Sequence, residues 1–214
     1  MNEQALRQEI VEIAQAIDRA GFCPSKSGNV SARFEGGLLI TPSGLPYAQT
    51  RPADLIHLSL DGTVLYGERR PSSEWPFHVE IYKARPDAQA IVHTHSPRAT
   101  ALSCARRGIP AFHYMIAMCG GADVRCADYA TFGSPELAAN AVRALDGRKA
   151  VLLANHGVIA LGATLAGAHT IVAEVENLAG QYLDLLASGL EPTILDATEM
   201  ERVSARFAGY GKVG

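Results

Sequence analysis

Little in this chain of 214 residues is long, uniform or strongly charged. No apolar run approaches the ~20 residues that a bilayer-spanning helix requires, so no membrane span is expected. There is no basic block, and 19 Lys and Arg against 22 Asp and Glu leave a net charge of −3. An electrostatic grip on nucleic acid therefore has no source. The four cysteines, Cys23, Cys104, Cys119 and Cys126, lack any CxxC spacing, and the opening segment MNEQALRQEIVEIAQAID is charged and amphipathic rather than ordered like a signal peptide. Reduced thiols in the cytoplasm are the expectation, without a disulfide framework. Repeats, low-complexity tracts and linker-like Pro/Gly/Ser stretches are also missing, so residues 1–214 read as a single domain. A chain of this size buries roughly 70% of its unfolded surface, enough for one sizeable core.

The hydrophobic pattern supplies the elements. Leu6, Ile10, Ile13 and Ile17 recur at helical spacing and predict an amphipathic helix ending at Gly21. Two short apolar runs at 30–34 and 38–41 flank Glu35-Gly36-Gly37 and predict a hairpin, and a second pair at 55–60 and 63–66 flanks Asp61-Gly62. A helix is expected over 74–84, with Pro76 in its first turn. A strand over 90–95 and a short helix over 98–107 follow. Ser134-Pro135-Glu136 opens a helix running through 137–145. Residues 151–154 form a continuous apolar run suited to a strand covered on both faces, with a turn at Gly157, and a long helix spans 165–187. Hairpins interspersed with helices imply helices on both faces of a mixed sheet.

Chemistry concentrates in a few short segments. In His93-Thr94-His95, residues two apart on a strand share a face, and two imidazoles there can converge on one ion at metal–nitrogen distances of about 2.0–2.1 Å. Alone, the motif also fits a pair of half-exposed strand histidines. Asn155-His156-Gly157 ends the apolar strand and places a third imidazole at a strand end; three imidazoles are a ligand set of open zinc sites. Ser72-Ser73-Glu74 lies at a helix start, where unpaired N–H groups and hydroxyls suit a phosphate and a carboxylate could reach a neighbouring metal. The plainer reading makes Ser73 the N-cap and Glu74 a dipole-favoured first-turn acid. Ser27-Gly28-Asn29 and Thr41-Pro42-Ser43-Gly44 are small, permissive loops able to turn N–H groups onto an anion. Tyr114, in His113-Tyr114-Met115, reads by itself as part of a core or interface strand.

In this order, GNVS (28–31), ITPSG (40–44), PSSEW (71–75), VHTH (92–95), IPAFHYMIAMCGG (109–121), YATFG (129–133) and NHG (155–157) resemble the class II aldolase/adducin family, most of all its fuculose-type aldolases. The resemblance spans nearly the whole chain. It implies a three-layer α/β/α fold around a mixed, mostly antiparallel sheet, one zinc per subunit (manganese or cobalt being alternatives), and a homotetramer with active sites between subunits. It assigns Glu74, His93, His95 and His156 to the metal, and Gly28, Asn29, Ser43, Gly44, Ser72 and Ser73 to the substrate phosphate. Tyr114 becomes a proton donor reaching a neighbouring subunit's site, with Glu74 as the other catalytic group. Phe132 lines the aldehyde side, and Phe207 and Tyr210 belong to a mobile C-terminal tail.

The implied reaction is reversible cleavage of a ketose 1-phosphate into dihydroxyacetone phosphate and an aldehyde. L-Fuculose 1-phosphate, 5-deoxyribulose 1-phosphate and 5-methylthioribulose 1-phosphate are the candidate substrates. Lys26 stands where fuculose-type enzymes carry an uncharged residue, and the chain ends soon after Tyr210-Gly211; both differences bear on which sugar is read. A methylthioribulose-1-phosphate dehydratase or a ribulose-5-phosphate 4-epimerase would share fold and metal. A non-enzymatic adducin-like module would have no need of the intact Glu and His set.

Overall fold

The computed structural model describes residues 2–209. Helix α1 (Glu3–Arg19) begins where the Asn2 side chain accepts the Ala5 N–H at 2.8 Å, as an N-cap should. Strands β1 (Asn29–Phe34) and β2 (Gly37–Ile40) form the first expected hairpin, and β3 (Ile56–Ser59) and β4 (Val64–Tyr66) the second. Helix α2 (Trp75–Ala84), strand β5 (Ala90–Thr94) and helix α3 (Pro97–Cys104) come next, each within a few residues of its sequence expectation. Two-residue β6 (Ile109–Pro110), β7 (Asp123–Ala127), α4 (Pro135–Ala144), β8 (Ala150–Leu153), β9 (Gly157–Gly162), α5 (Leu165–Ser188) and α6 (Ala197–Gly209) complete the order.

All nine strands join one sheet in the order β4-β3-β2-β1-β5-β9-β8-β7-β6. Every pairing is antiparallel except β7 with β8. Alternate residues of each strand face opposite layers. Val30, Ala32, Ala90, Val92, Leu152, Val158 and Ala160 pack with α1, α3, α5 and α6 on one side. Leu38, Ile40, Ile91, Val151, Leu153, Ile159 and Leu161 pack with α2 and α4 on the other. The result is the three-layer α/β/α arrangement with a mostly antiparallel sheet. Among the described residues, no helix is long and apolar enough to cross a membrane.

Three elements depart from the sequence expectation. The chain does not merely turn at Gly157 but enters β9, a strand buried along its whole length and paired with both β5 and β8. Its run GVIALG has no polar alternation because neither face meets water. Strand β7 carries the mixed sequence DVRCA near the sheet edge, half covered, so it has no strand-like pattern. Helix α6 occupies the segment expected as a mobile tail; the Asp196 carboxylate accepts the Glu199 N–H at 2.8 Å, and Met200 reaches the core.

Leu152 sits wholly buried in β8, within the sheet's parallel pair, in the layer packed by α1, α3, α5 and α6. Leu152→Ala is expected to lower stability by about 2–5 kcal/mol, read as a lower urea midpoint with an unchanged slope.

Candidate active site

The sheet register brings the chemistry together. Asn29 of β1 lies directly opposite His93 of β5, and His93 lies opposite Ile159 of β9. His93 and His95 share a face as their spacing predicts, with His95 just past the strand end, where its N–H donates to the Phe22 carbonyl at 3.0 Å. His156 sits in the β8–β9 turn after Asn155, whose φ of 55° is left-handed; the Asn155 N–H donates to the Ser103 carbonyl at 3.0 Å. Gly157 follows because a Cβ there would stand 2.4 Å from the Thr94 carbonyl oxygen and 3.0 Å from the His95 ring. Gly28, with φ of 86°, is needed for a similar reason: a Cβ would lie 2.6 Å from the His93 carbonyl oxygen. Glu74 arrives from the turn before α2. It occupies the cap position without a capping hydrogen bond from its side chain, and Ser73 is exposed rather than the N-cap. The carboxylate turns inward because the Ser72 N–H donates to the Thr41 carbonyl (3.1 Å), tying that turn to the end of β2.

Ligand-capable atoms of Glu74, His93, His95 and His156 all lie within 4.8 Å of one another. The three rings meet edge to face at 4.8–5.0 Å between centroids. His93 Nδ1 is 2.9 Å from the Val158 carbonyl and donates to it, so Nε2 presents its lone pair inward. That nitrogen is 3.1 Å from His95 Nε2 and 3.2 Å from Glu74 Oε2. Glu74 Oε1 approaches His156 Nε2 at 2.9 Å, yet this buried oxygen makes no hydrogen bond of acceptable angle. The approach is close but outside hydrogen-bond geometry, so this oxygen is left open to a cation. A buried carboxylate oxygen left so is costly unless a cation takes it, and three nitrogens with one oxygen suit a tetrahedral divalent metal.

Protonation states agree with that fit. Burial alone would push the Glu74 carboxyl up, but positive charge at His93 and His156, the place that a bound cation would take over, outweighs it and holds the carboxyl well below the usual carboxylate range. Burial, reinforced by His93 and His156, lowers His95 to about 3. Near neutral pH the pair is thus a carboxylate and a neutral imidazole, the forms that ligate metals.

An open cavity of about 320 Å³ lies over this cluster. Gly28, Asn29, Ser43, Gly44, Ser72 and Ser73 line it beside Glu74, His95 and His156, so the three sequence-distant loops do come together. Asn29 Nδ2 donates to both Glu74 Oε2 (2.9 Å) and Ser72 Oγ (3.0 Å), joining the loop side to the carboxylate. Lys26 and Phe132 also line the cavity; Phe132 is 67% exposed, and Tyr129, the first residue of the same YATFG segment, lines the cavity with it.

The chain does not bring Tyr114 or Phe207 to this cavity. Tyr114 opens a 3-10 turn, Tyr114–Cys119, rather than lying in a strand, and it is 51% exposed. It stacks with Phe207 at 6.4 Å, and both line a separate groove between that turn and α6. Phe207 lies on helix α6, partly buried against the core. Tyr210 lies outside the described residues. Sequence reasoning also passed over Ser31, His78 and Tyr82, all buried behind Asn29. Polar residues at the alternate strand positions 29 and 31, facing a His and a Tyr four apart on a helix, were the signal that could have found them.

Comparison with known proteins agrees with the geometry. The family pattern described as the Class II Aldolase and Adducin N-terminal domain matches residues 8–183. A 5-methylthioribulose-1-phosphate/5-deoxyribulose-1-phosphate aldolase of Rhodospirillum rubrum is 50% identical over 97% of this chain and 93% of its own length. An L-fuculose phosphate aldolase of Escherichia coli K12 is 41% identical over 99% of this chain and 98% of its own. A solved L-fuculose 1-phosphate aldolase structure superposes with a TM-score of 0.92 at 41% identity, covering 95% of this chain and 96% of that one. With its fold, its His and Glu cluster and these relatives in agreement, the chain belongs to the class II aldolase and adducin family, among its metal-dependent aldolases.

Proposed function

We propose that this protein holds one Zn2+ through Glu74, His93, His95 and His156, and reversibly cleaves a ketose 1-phosphate into dihydroxyacetone phosphate and an aldehyde. The observation that carries this reading is the convergence of those four side chains beneath a cavity lined by small hydroxyl, amide and glycine residues together with Lys26. Imidazole and carboxylate ligands favour zinc, with manganese or cobalt as workable substitutes. The reading covers residues 1–214 as one domain of a cytoplasmic enzyme. It takes no nucleic acid or membrane as partner.

In this reading Ser43, Ser72 and Ser73, with the N–H groups around Gly28 and Gly44, hold the phosphate and fix the reacting carbons against the metal site, while Asn29 serves the same pocket by donating to and orienting the Ser72 hydroxyl. A divalent metal bound there supplies the Lewis acidity that the enediolate charge requires. Glu74 moves the proton on the dihydroxyacetone phosphate half, as base in one direction and acid in the other. Tyr114 of a neighbouring subunit takes the C4 hydroxyl proton as the C3–C4 bond breaks. Its exposure, and its place in a groove apart from its own chain's cavity, support an assembly, in this reading a homotetramer, in which one chain completes another's site. Phe207, stacked on Tyr114, would arrive with it. Phe132 lies on the aldehyde side, and its exposed ring favours an apolar aldehyde tail. The 50% identity to the methylthioribulose/deoxyribulose phosphate enzyme, against 41% to the fuculose enzyme, supports the same choice.

The direct assay is release of dihydroxyacetone phosphate from L-fuculose, 5-deoxyribulose and 5-methylthioribulose 1-phosphates. The 5-deoxy or 5-methylthio sugar is expected to be cleaved best. A dehydrated ketone or an epimerised pentulose as the sole product would replace the aldolase reading. Elemental analysis is expected to find about one metal per chain in the wild type, with His93→Ala/His95→Ala largely metal-free. Glu74→Gln keeps the side-chain shape and three imidazoles, and its turnover is expected to fall by roughly 10²–10⁴-fold with much of the metal retained. Tyr114→Phe should leave oligomer and metal intact in analytical ultracentrifugation and elemental analysis. Its cleavage rate should fall, while proton exchange on added dihydroxyacetone phosphate suffers much less.

A further inference from the structure

Behind the cavity wall runs a chain of buried polar groups that the reaction itself does not use. Ser31 lies two residues after Asn29 on β1, on the same face, and His78 and Tyr82 lie four apart on α2; all are buried. Tyr82 Oη is 2.9 Å from Ser31 Oγ, Ser31 Oγ is 2.7 Å from His78 Nδ1, and His78 Nε2 makes a short hydrogen bond to Asn29 Oδ1. The direction of every bond follows from its far end. A carboxylate only accepts, so Asn29 must turn its NH2 toward Glu74, which leaves Oδ1 facing His78. His78 then donates from Nε2, and as a neutral ring its Nδ1 must accept from the Ser31 hydroxyl. Burial lowers His78 to about 3 and raises the Tyr82 phenol, so one stays neutral and the other keeps its proton to donate to Ser31. Reversing the chain would set an amide oxygen 2.9 Å from a carboxylate oxygen in a buried site.

We propose that Tyr82, Ser31 and His78 form a one-way hydrogen-bond chain that locks the Asn29 amide, making His78 a positioning residue for both the Glu74 carboxylate and the phosphate pocket. The proposal rests on the metal and phosphate assignments above. Both hydrogens of the Asn29 amide are committed, one to Glu74 and one to Ser72, so this single group links the two halves of the site. An amide free to rotate would present its oxygen to the Glu74 carboxylate and to Ser72 for part of the time, repelling the one and drawing the hydroxyl of the other away from an incoming phosphate.

The test compares wild type with His78→Phe, His78→Gln and Ser31→Ala. It uses calorimetric titration of inorganic phosphate into metal-free protein, metal retention against a chelator, and steady-state cleavage by the metal-loaded enzyme. His78→Phe removes the donor to Asn29 and is expected to weaken metal retention and to lower kcat/KM by about 10–100-fold, with phosphate affinity falling too. His78→Gln, whose Nε2 can still donate to Oδ1, should restore most of each loss. Ser31→Ala frees the His78 tautomer and should fall between them. Wild-type phosphate affinity, metal retention and turnover in a folded His78→Phe, or a His78→Gln no better than His78→Phe, would reduce the chain to a packing feature. If His78→Phe does not fold, wild-type values in Ser31→Ala would overturn the proposal, and losses in it that His78→Gln does not share would support it. Should wild type itself fail to bind phosphate, the phosphate reading falls, and the metal retention of the variants still decides the chain.

Discussion

The pairing register of β5 between β1 and β9 is the constraint on which the site depends. In that register Asn29 and His93 stand side by side, and Ser31 and Ile91 follow on the same face. A slip of β5 by one residue would turn His93 away from α2 and put Val92 or Thr94 in its place beside Asn29. The strand resists such a slip because both its faces are buried: Ala90 and Val92 belong to one apolar layer, and Ile91 to the other. Apolar packing, the strongest and least directional force in the fold, thereby sets the position of the most directional groups.

Around this register, the protein gathers charge where it would otherwise be least welcome. Glu74 is buried, with one oxygen lacking a proper partner, and three imidazoles crowd it. A natural core keeps such groups only where something compensates, either within the chain or by binding. Two apolar layers on either side of the sheet supply the rigidity that holds these groups together, and a bound cation would supply the missing counter-charge. Because ligation favours the folded arrangement, metal affinity and folding stability are linked in this protein.

The site is also divided between elements of different character. Its floor comes from strand ends and turns, where glycine at 28 and 157 lets backbone and imidazole approach closely. Its walls come from loops rich in small hydroxyl and amide residues. Tyr114 and Phe207 stand together elsewhere on the chain, stacked and partly open.

Much of this was legible in the residues alone. The spacing of His93 and His95 dictated a shared face, periodicity dictated α1 and α5, and the Asp61-Gly62 and Ser134-Pro135 signals dictated a hairpin and a helix start, because each depends on neighbours a few residues apart. The motifs in sequence order further implied the family and the residues of its site. Tertiary structure alone decided β7 and β9, whose place in the sheet comes from partners distant in sequence rather than from their own pattern. It also decided that Glu74 rather than Ser73 takes the cap, that the segment holding Phe207 is a packed helix, and that His78, Ser31 and Tyr82 stand in line behind Asn29. Such outcomes rest on contacts between residues tens of positions apart, and a local pattern carries no record of which distant polar group will be buried against it.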